Sequence, residues 1–481
     1  MPIREPDPFP AAYDPERFRG LGHRLVDSLA DHLAGVQARQ GPVLPWREPE
    51  AALEAWPGAF SKEGGADFQE LVGRVLAQSH HLQHPRYVGH QCSAPLPLAA
   101  LLGVVSDLLN NGSAVYEMGP VNTAMERSLV RWFSGLAGFD PNLADGVWTH
   151  GGSAGNLTAL LAARQAAAAN DVWEEGYEKP GALCVVTSEQ AHYSVRRSAQ
   201  VLGLGGRSVV KVAVDPAYRM RPDALATTLD RLAEEGRKVM AVVASAGSTA
   251  TGAIDPLAAI ATACRARGLW LHVDAAHCGA HLLSERLRSS LAGIEHADSL
   301  IIDAHKMMLV PALATLVLFR DGDRSYETFS QEASYLFDRS ARQEWYNTAH
   351  RTLECTKRML GLKLYLALEV MGTDFFTSFV ERMADLAAGF ARRLEQRPGW
   401  QLAVRPESNI VCFRYAPASI ADADAFQGRV RDVIVREGSF YLVKTTLLGR
   451  TWLRTTLINP LTTEADLEAL LERVEALADS R

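Results

Sequence analysis

"LIIDAHKMMLVP", residues 300–311, sets a lysine where two apolar runs meet. Leu300, Ile301 and Ile302 lead into Asp303, Ala304, His305 and Lys306; a second apolar run follows from Met307 through "ALATLVLF". Lysine is among the residues least often fully buried, so its place between two runs that read as core strands calls for a reason. Working outward, similar β-branched runs stand at "ALCVVTS" (182–188), "SVVKVAV" (208–214), "VMAVVAS" (239–245), "LWLHVDA" (269–275), "SLIIDA" (299–304) and "ATLVLF" (314–319). Helical stretches separate several of them, such as "GNLTALLAARQAAAA", "PDALATTLDRLAEEG" and "PLAAIATACRARG". Continuous apolar strands alternating with helices predict an α/β fold whose central sheet is mainly parallel and covered on both faces. In such sheets ligands gather at the carboxyl ends of the strands.

The flanks read differently. Residues 1–85 look like a helical arm: "RFRGLGHRLVDSLADHLAGVQAR" carries apolar residues at helical spacing, with no core of its own to pack on. Residues 86–350 then form a large unit, the last thirty or so of them polar and irregular, and 351–481 a smaller α/β unit. In that last part "TLECTKRMLGLKLYLALEVMG" predicts a long helix, followed by helices alternating with the strands "NIVCFRYA" and "TWLRTTL".

Bulk properties narrow the function. The chain has 481 residues, 47% hydrophobic and 22% charged, with a net charge of −7. That balance is ordinary for a globular protein. No basic stripe argues for nucleic acid, and no apolar run reaches the roughly 18 residues that span a bilayer. The polar, Pro-rich start lacks the apolar segment of a secretory signal. The six scattered cysteines, without a CxxC pair, read as free thiols in the cytoplasm.

Several chemical groups stand at strand ends. Asp274 closes "LWLHVDA", Lys306 follows "SLIIDA", His192 lies beyond "VVTS", Thr249 lies beyond "VVASAGST", and "THGGSAGN" (149–156) precedes a helix. Lys306 could simply reach solvent or pair with Asp303. A desolvated lysine is also a nucleophile toward carbonyls, because desolvation lowers its pKa. Pyridoxal phosphate chemistry needs such a lysine, a carboxylate beside the pyridine nitrogen, a phosphate cradle at a helix start and a flat side chain against the ring. Lys306, Asp274, Gly152 with Ser153, and His192 supply these in order. His272, His277 and His281 also raise a metal reading, but no HExxH glutamate accompanies them and the local sequence suits the cofactor better.

"HVDAAHCGA" followed by "ADSLIIDAHKMMLVP" resembles the signature of the group II pyridoxal-phosphate-dependent amino-acid decarboxylases. "HPRY", "YEMGPVNTAMER", "GGSAGNLTALLAAR" and "TSEQAHYSV" are similar to the family's access segment, helix start, phosphate turn and stacking-histidine segment. "ASYLF" (333–337), "ECTKRMLGLKLYLAL" and "WLRTTLINPLTT" look closest to the glutamate and cysteine-sulfinate branch. The resemblance implies fold type I, the aspartate-aminotransferase-like fold, a pyridoxal 5'-phosphate cofactor and a homodimer. It implies that Lys306 bonds to the cofactor, Asp274 pairs with the ring nitrogen and His192 stacks on the ring. Gly152, Ser153 and His305 would surround the phosphate, with Thr249 near the ring or substrate. Arg454 would hold the substrate α-carboxylate. Tyr335 would return a proton to the carbon that has lost CO2, across the dimer interface. Two departures stand out: Asp303 occupies a place where Asn often precedes "x-His-Lys", and "YVGHQCSAP" replaces a stretch with a side-chain-binding Gln, leaving His90 or Gln91 near that position. The activity implied is α-decarboxylation of an L-amino acid, acidic or small and polar, to an amine. The alternatives are decarboxylation with oxidative deamination to an aldehyde, and a catalytically silent scaffold.

Overall fold

The computed structural model describes residues 9–168, 170–177, 183–326, 328–329 and 344–479. Asp14 caps helix α1 (Pro15–Gln37) by accepting from the Glu16 N–H at 3.0 Å. Val36 is its one buried residue. It packs on α2 (Phe68–Gln78), itself capped by Asp67. The arm is tied to the body by Val43 N–H donating to the Gly438 carbonyl at 2.8 Å and by the Arg39–Asp466 ion pair at 2.7 Å. Helices α3 (Pro97–Leu109) and α4 (Pro120–Leu136) follow, each opened by a proline in its first turn.

The central sheet has seven strands: β1 (Asp145–Thr149), β2 (Leu183–Ser188), β3 (Val209–Val212), β4 (Lys238–Ser245), β5 (Trp270–Asp274), β6 (Ser299–Asp303) and β7 (Thr315–Phe319), in the order β1-β7-β6-β5-β4-β2-β3. Helices α5 (Gly152–Ala167), α6 (Tyr193–Val201), α7 (Pro222–Glu234) and α8 (Leu257–Arg265) connect them. Pairs β2–β3, β2–β4, β4–β5 and β5–β6 are parallel, as expected. Two features differ from the sequence reading. β1, "DGVWT", was not foreseen; its polar start hides five buried residues, and a Cβ at Gly146 would stand 2.4 Å from the Val317 carbonyl oxygen of β7. "ATLVLF" is a strand but runs antiparallel to both neighbours. The connection Ala304–Ala314 is shorter than the dozen or so residues a parallel crossover takes, so the chain turns back in a wide hairpin. Lys306 sits in that turn.

Beyond the sheet, α9 (Leu362–Met371) and α10 (Thr373–Gln396) lead to a four-stranded antiparallel sheet of β8 (Trp400–Leu402), β9 (Ile410–Tyr415), β10 (Val443–Leu447) and β11 (Arg450–Thr456), in the order β10-β11-β9-β8. α11 (Ala423–Glu437) and α12 (Glu464–Asp479) pack around it. The long helix expected over 352–372 is a correction: only its second half is helical. Residues ahead of Gly361 are held instead by contacts with distant segments of the chain. Lys357, fully buried, donates to Glu126 Oε2 at 3.3 Å and to the Trp148 carbonyl at 3.4 Å, and Glu126 Oε1 accepts the Gly361 N–H at 3.2 Å. Among the described residues no helix is long and apolar enough to cross a membrane.

Candidate active site

The carboxyl ends of β2, β4, β5 and β6 meet at Lys306. Its amine lies 3.0 Å from Asp303 Oδ2; the Lys306 side chain is 20% exposed and that of Asp303 2%. Burial disfavours the ammonium, but the carboxylates of Asp303 and then Asp274 outweigh it and raise the lysine above its ordinary pKa. The expectation that desolvation would leave a low-pKa amine therefore does not hold for this arrangement. The reciprocal effect holds Asp303 below the usual carboxylate range: burial opposes its charge, while Lys306, His305 and a hydrogen bond from Thr315 favour it. His305 completes the turn. His305 Nδ1 lies 3.0 Å from the Ala314 carbonyl oxygen and 3.2 Å from the Ala314 nitrogen, and Nε2 faces Asp303 Oδ2 at 3.7 Å.

Asp274 and His192 are held by one directed chain of hydrogen bonds. Trp270 Nε1–H donates to Ser299 Oγ at 2.9 Å, and that oxygen lies 2.9 Å from His272 Nδ1. His272 Nε2–H then donates to Asn156 Oδ1 at 2.8 Å. The Asn156 amide gives one proton to Asp274 Oδ2 at 2.9 Å and the other to Ser194 Oγ at 2.8 Å. Ser194 passes its hydroxyl proton to His192 Nδ1 at 2.7 Å. His192 is thus a neutral ring with its proton on Nε2. Burial lowers its pKa, opposed by Asp274 and assisted by Lys306. Burial likewise pushes His272 down to about 4. The Ala276 N–H gives Asp274 Oδ1 a second donor at 3.2 Å.

The phosphate-type turn is present as geometry. Gly151 has φ 95° and no side chain caps α5, leaving the first N–H groups of that helix open at Gly152 and Ser153. A Cβ on Gly152 would stand 3.2 Å from Asp303 Oδ2, so the turn and the lysine hairpin face each other directly. On the far side Arg454, on β11, is buried. Its Nη1 donates to the Thr249 carbonyl at 2.7 Å and its Nε has no protein partner. Thr249 therefore contributes its backbone rather than its hydroxyl in this arrangement. His277 links the two halves: Lys306 and Arg454 both add to the burial that pushes it down to about 3, while its Nε2–H donates to Asn409 Oδ1 at 2.6 Å. Across from Arg454 the Tyr87 and Tyr441 rings stack at 5.4 Å, with His90 5.7 Å from Tyr441. Gln91 holds a buried Nε2 without a partner. Burial lowers the His90 pKa, with Arg454 and Arg431 adding to it.

The structure thus brings Lys306, Asp274, His192, Gly152, Ser153, His305, Thr249 and Arg454 to one region, with His90 and Gln91 at its edge. Tyr335 lies outside the described residues. Asn156, Ser194 and Thr315 are not singled out in the sequence, and His272 enters there only as a metal candidate; Asn156 has a signal, since it lies one helical turn after Gly152 and faces the same way. The metal reading of the three histidines is replaced by partners: His272 and His277 as above, and His281 with Ser290 at 3.1 Å.

Comparison with known proteins gives the family. A family model, the pyridoxal-dependent decarboxylase conserved domain, matches residues 66–416. The chain is 30% identical to cysteine sulfinic acid decarboxylase of Rattus norvegicus, covering 90% of this chain and 91% of that one. It is 29% identical to aromatic-L-amino-acid decarboxylase of Bacillus atrophaeus over 96% of each chain. The crystal structure of mouse CSAD superposes with a TM-score of 0.89 at 28% identity, covering 97% of this chain and 99% of that one. With a lysine hairpin, an aspartate and an open helix start at the strand ends of a fold shared along nearly its whole length, the chain belongs to the pyridoxal-dependent decarboxylases, carboxy-lyases that act on amino acids with pyridoxal 5'-phosphate.

Proposed function

We propose that this chain decarboxylates an L-amino acid with an acidic or small polar side chain, releasing the amine and CO2, and that it works as a cytoplasmic homodimer. Bound pyridoxal 5'-phosphate supplies an aldehyde for a lysine to capture and a cationic ring that takes up the electrons freed when CO2 leaves. The chain's residues fit that group: an open helix start for a phosphate, a carboxylate fixed by two donors, a neutral imidazole and a lysine share one cleft. In this reading Lys306 attaches the cofactor, and Asp274 keeps the ring nitrogen protonated. His192 lies against the ring, and Gly152, Ser153 and His305 surround the phosphate. Arg454, steadied by Thr249, grips the α-carboxylate and orients the bond that breaks. His90 and Gln91 meet the side chain, and Tyr335 returns the proton.

What supports the substrate class is the setting of His90: burial lowers its pKa first, and the Arg454 and Arg431 guanidiniums, the latter 3.2 Å from Asp432, add to that. A negative side chain is favoured there, and a positive one is repelled. The dimer is supported by α3, which leaves Leu101, Val104, Val105, Leu108 and Leu109 exposed along one helix. The test is incubation with each common amino acid, cysteine sulfinate and 2,4-diaminobutyrate, with amine and CO2 measured by mass spectrometry. Amine from an acidic or small polar substrate is the expected result. Preferred turnover of an aromatic or cationic amino acid refutes the substrate class. Aldehyde, ammonia and peroxide in place of amine refute simple decarboxylation.

A further inference from the structure

We propose that Asp303 is the counter-ion and proton acceptor of Lys306: it holds the free lysine as an ammonium and takes its proton when the amine becomes a nucleophile. The proposal rests on Lys306 being the cofactor-bonding lysine and adds a role for a neighbour.

The argument is geometric. Asp303 ends β6 with its side chain 2% exposed, and a buried carboxylate persists as an ion only with compensating charge or donors. Three surround it: the Lys306 amine at 3.0 Å, His305 Nε2 at 3.7 Å and the Thr315 hydroxyl, which donates to Oδ1. The open start of α5 at Gly152 adds the positive end of a helix dipole. Thr315 holds Oδ1, so Oδ2 is left for the lysine.

Lys306 also feels Asp274 from β5, His192 ahead of α6, His277 beyond β5 and Cys92 from the access segment. Asp274 does not compete for its proton. Both Asp274 oxygens are engaged, Oδ2 by Asn156 and Oδ1 by the Ala276 N–H, whereas Asp303 makes the direct contact.

The step balances without an external reagent. One Nζ–H bond of the ammonium breaks and an O–H bond forms on Asp303 Oδ2, leaving the electron pair on nitrogen. Nζ then bonds to the aldehyde carbon, and the aldehyde oxygen leaves as water with the two remaining amine protons. No atom is oxidised or reduced. The proton then passes from Asp303 to solvent, because the Thr315 hydroxyl, His305 and the start of α5 favour its ionised form.

The full-length protein, stripped of cofactor with hydroxylamine, is labelled with trace acetic anhydride, and acetylation of the Lys306 peptide is followed by mass spectrometry from roughly pH 7 to 10. In wild type the Lys306 rate is expected to rise about tenfold per pH unit without a plateau, because its titration lies above that window. Asp303→Asn is expected to plateau within the window and to label at least about tenfold faster near pH 8. Asp274→Asn is expected to shift the profile less. The proposal is overturned by an Asp303→Asn profile that coincides with wild type, or by a larger shift in Asp274→Asn. If Asp303→Asn does not fold, wild type decides alone, since a plateau inside the window overturns the pairing. Labelling reads the pair whether or not amine is made, so failure of the proposed function and failure of this inference are separable.

Discussion

Asn156 is the residue on which the site's polar order depends, and replacing it with leucine tests that order directly. The leucine keeps the volume but removes every hydrogen bond of the amide. His272 Nε2–H, fully buried, loses its acceptor at 2.8 Å. Asp274 loses one of its two donors, the one at 2.9 Å. Ser194 Oγ loses a donor at 2.8 Å but keeps its own bond to His192. Leaving a buried donor unmet costs about 1–3 kcal/mol, and a lost bond to a charged group costs about the same, while the serine adds little. The sum is about 4 kcal/mol, or roughly a thousandfold shift toward the unfolded form. Urea denaturation of the cofactor-free protein, wild type against Asn156→Leu, measures it. Binding of pyridoxal phosphate, titrated by absorbance, is expected to weaken at least about tenfold, because Asp274 and His192 lose their shared anchor. Unchanged urea stability, within about 0.5 kcal/mol, would refute the hydrogen-bond chain.

Other perturbations have outcomes set by the structure. Lys357→Met strands the Glu126 carboxylate, 5% exposed, and is expected to cost about 3–5 kcal/mol, much of it recovered in the double variant with Glu126→Gln; a double variant no more stable than the single one contradicts the pairing. Burial lowers His272 and His281 to about 4 and His277 to about 3, from 6.5. The unfolded chain then binds more protons, so stability is full above pH 6.5 and falls as pH drops toward 4. Each of the three contributes about 2 kcal/mol of loss between pH 7 and 5; a urea midpoint flat over that range rules this out. Leu101→Asp with Leu108→Asp is expected to yield monomers by light scattering, with both side chains more than half exposed in the single chain; an intact dimer would move the interface elsewhere.

Much of the site could be read in the chain because its chemistry is local in sequence. Lys306 with His305 and Asp303 lies in one turn, Gly152 and Ser153 open one helix, and Asp274 and His192 each follow one apolar run. Continuous β-branched apolar runs and 3.6-residue spacing likewise gave away most of the buried strands and the amphipathic helices. What depended on contact between distant segments was hidden. β1 reads as polar because Asp145 pairs with Arg127 and Arg351, partners far away in sequence. The first half of the 352–372 stretch has good helical spacing, yet Lys357 is drawn inward to Glu126 and the helix waits until Leu362. The lysine's charge state was also beyond local reading. Desolvation and two carboxylates push in opposite directions, and their balance is set by a 3.0 Å separation. The sequence by itself determined the α/β architecture, through apolar runs and helical spacing, and the pyridoxal chemistry, through motifs that resemble a known family, and it supplied candidate residues for that chemistry. Only the tertiary structure decided the place of β1 beside β7, the order of the hydrogen-bond chain through Asn156 and the balance at Lys306 between burial and the carboxylates of Asp303 and Asp274, because these depend on segments that lie far apart along the chain.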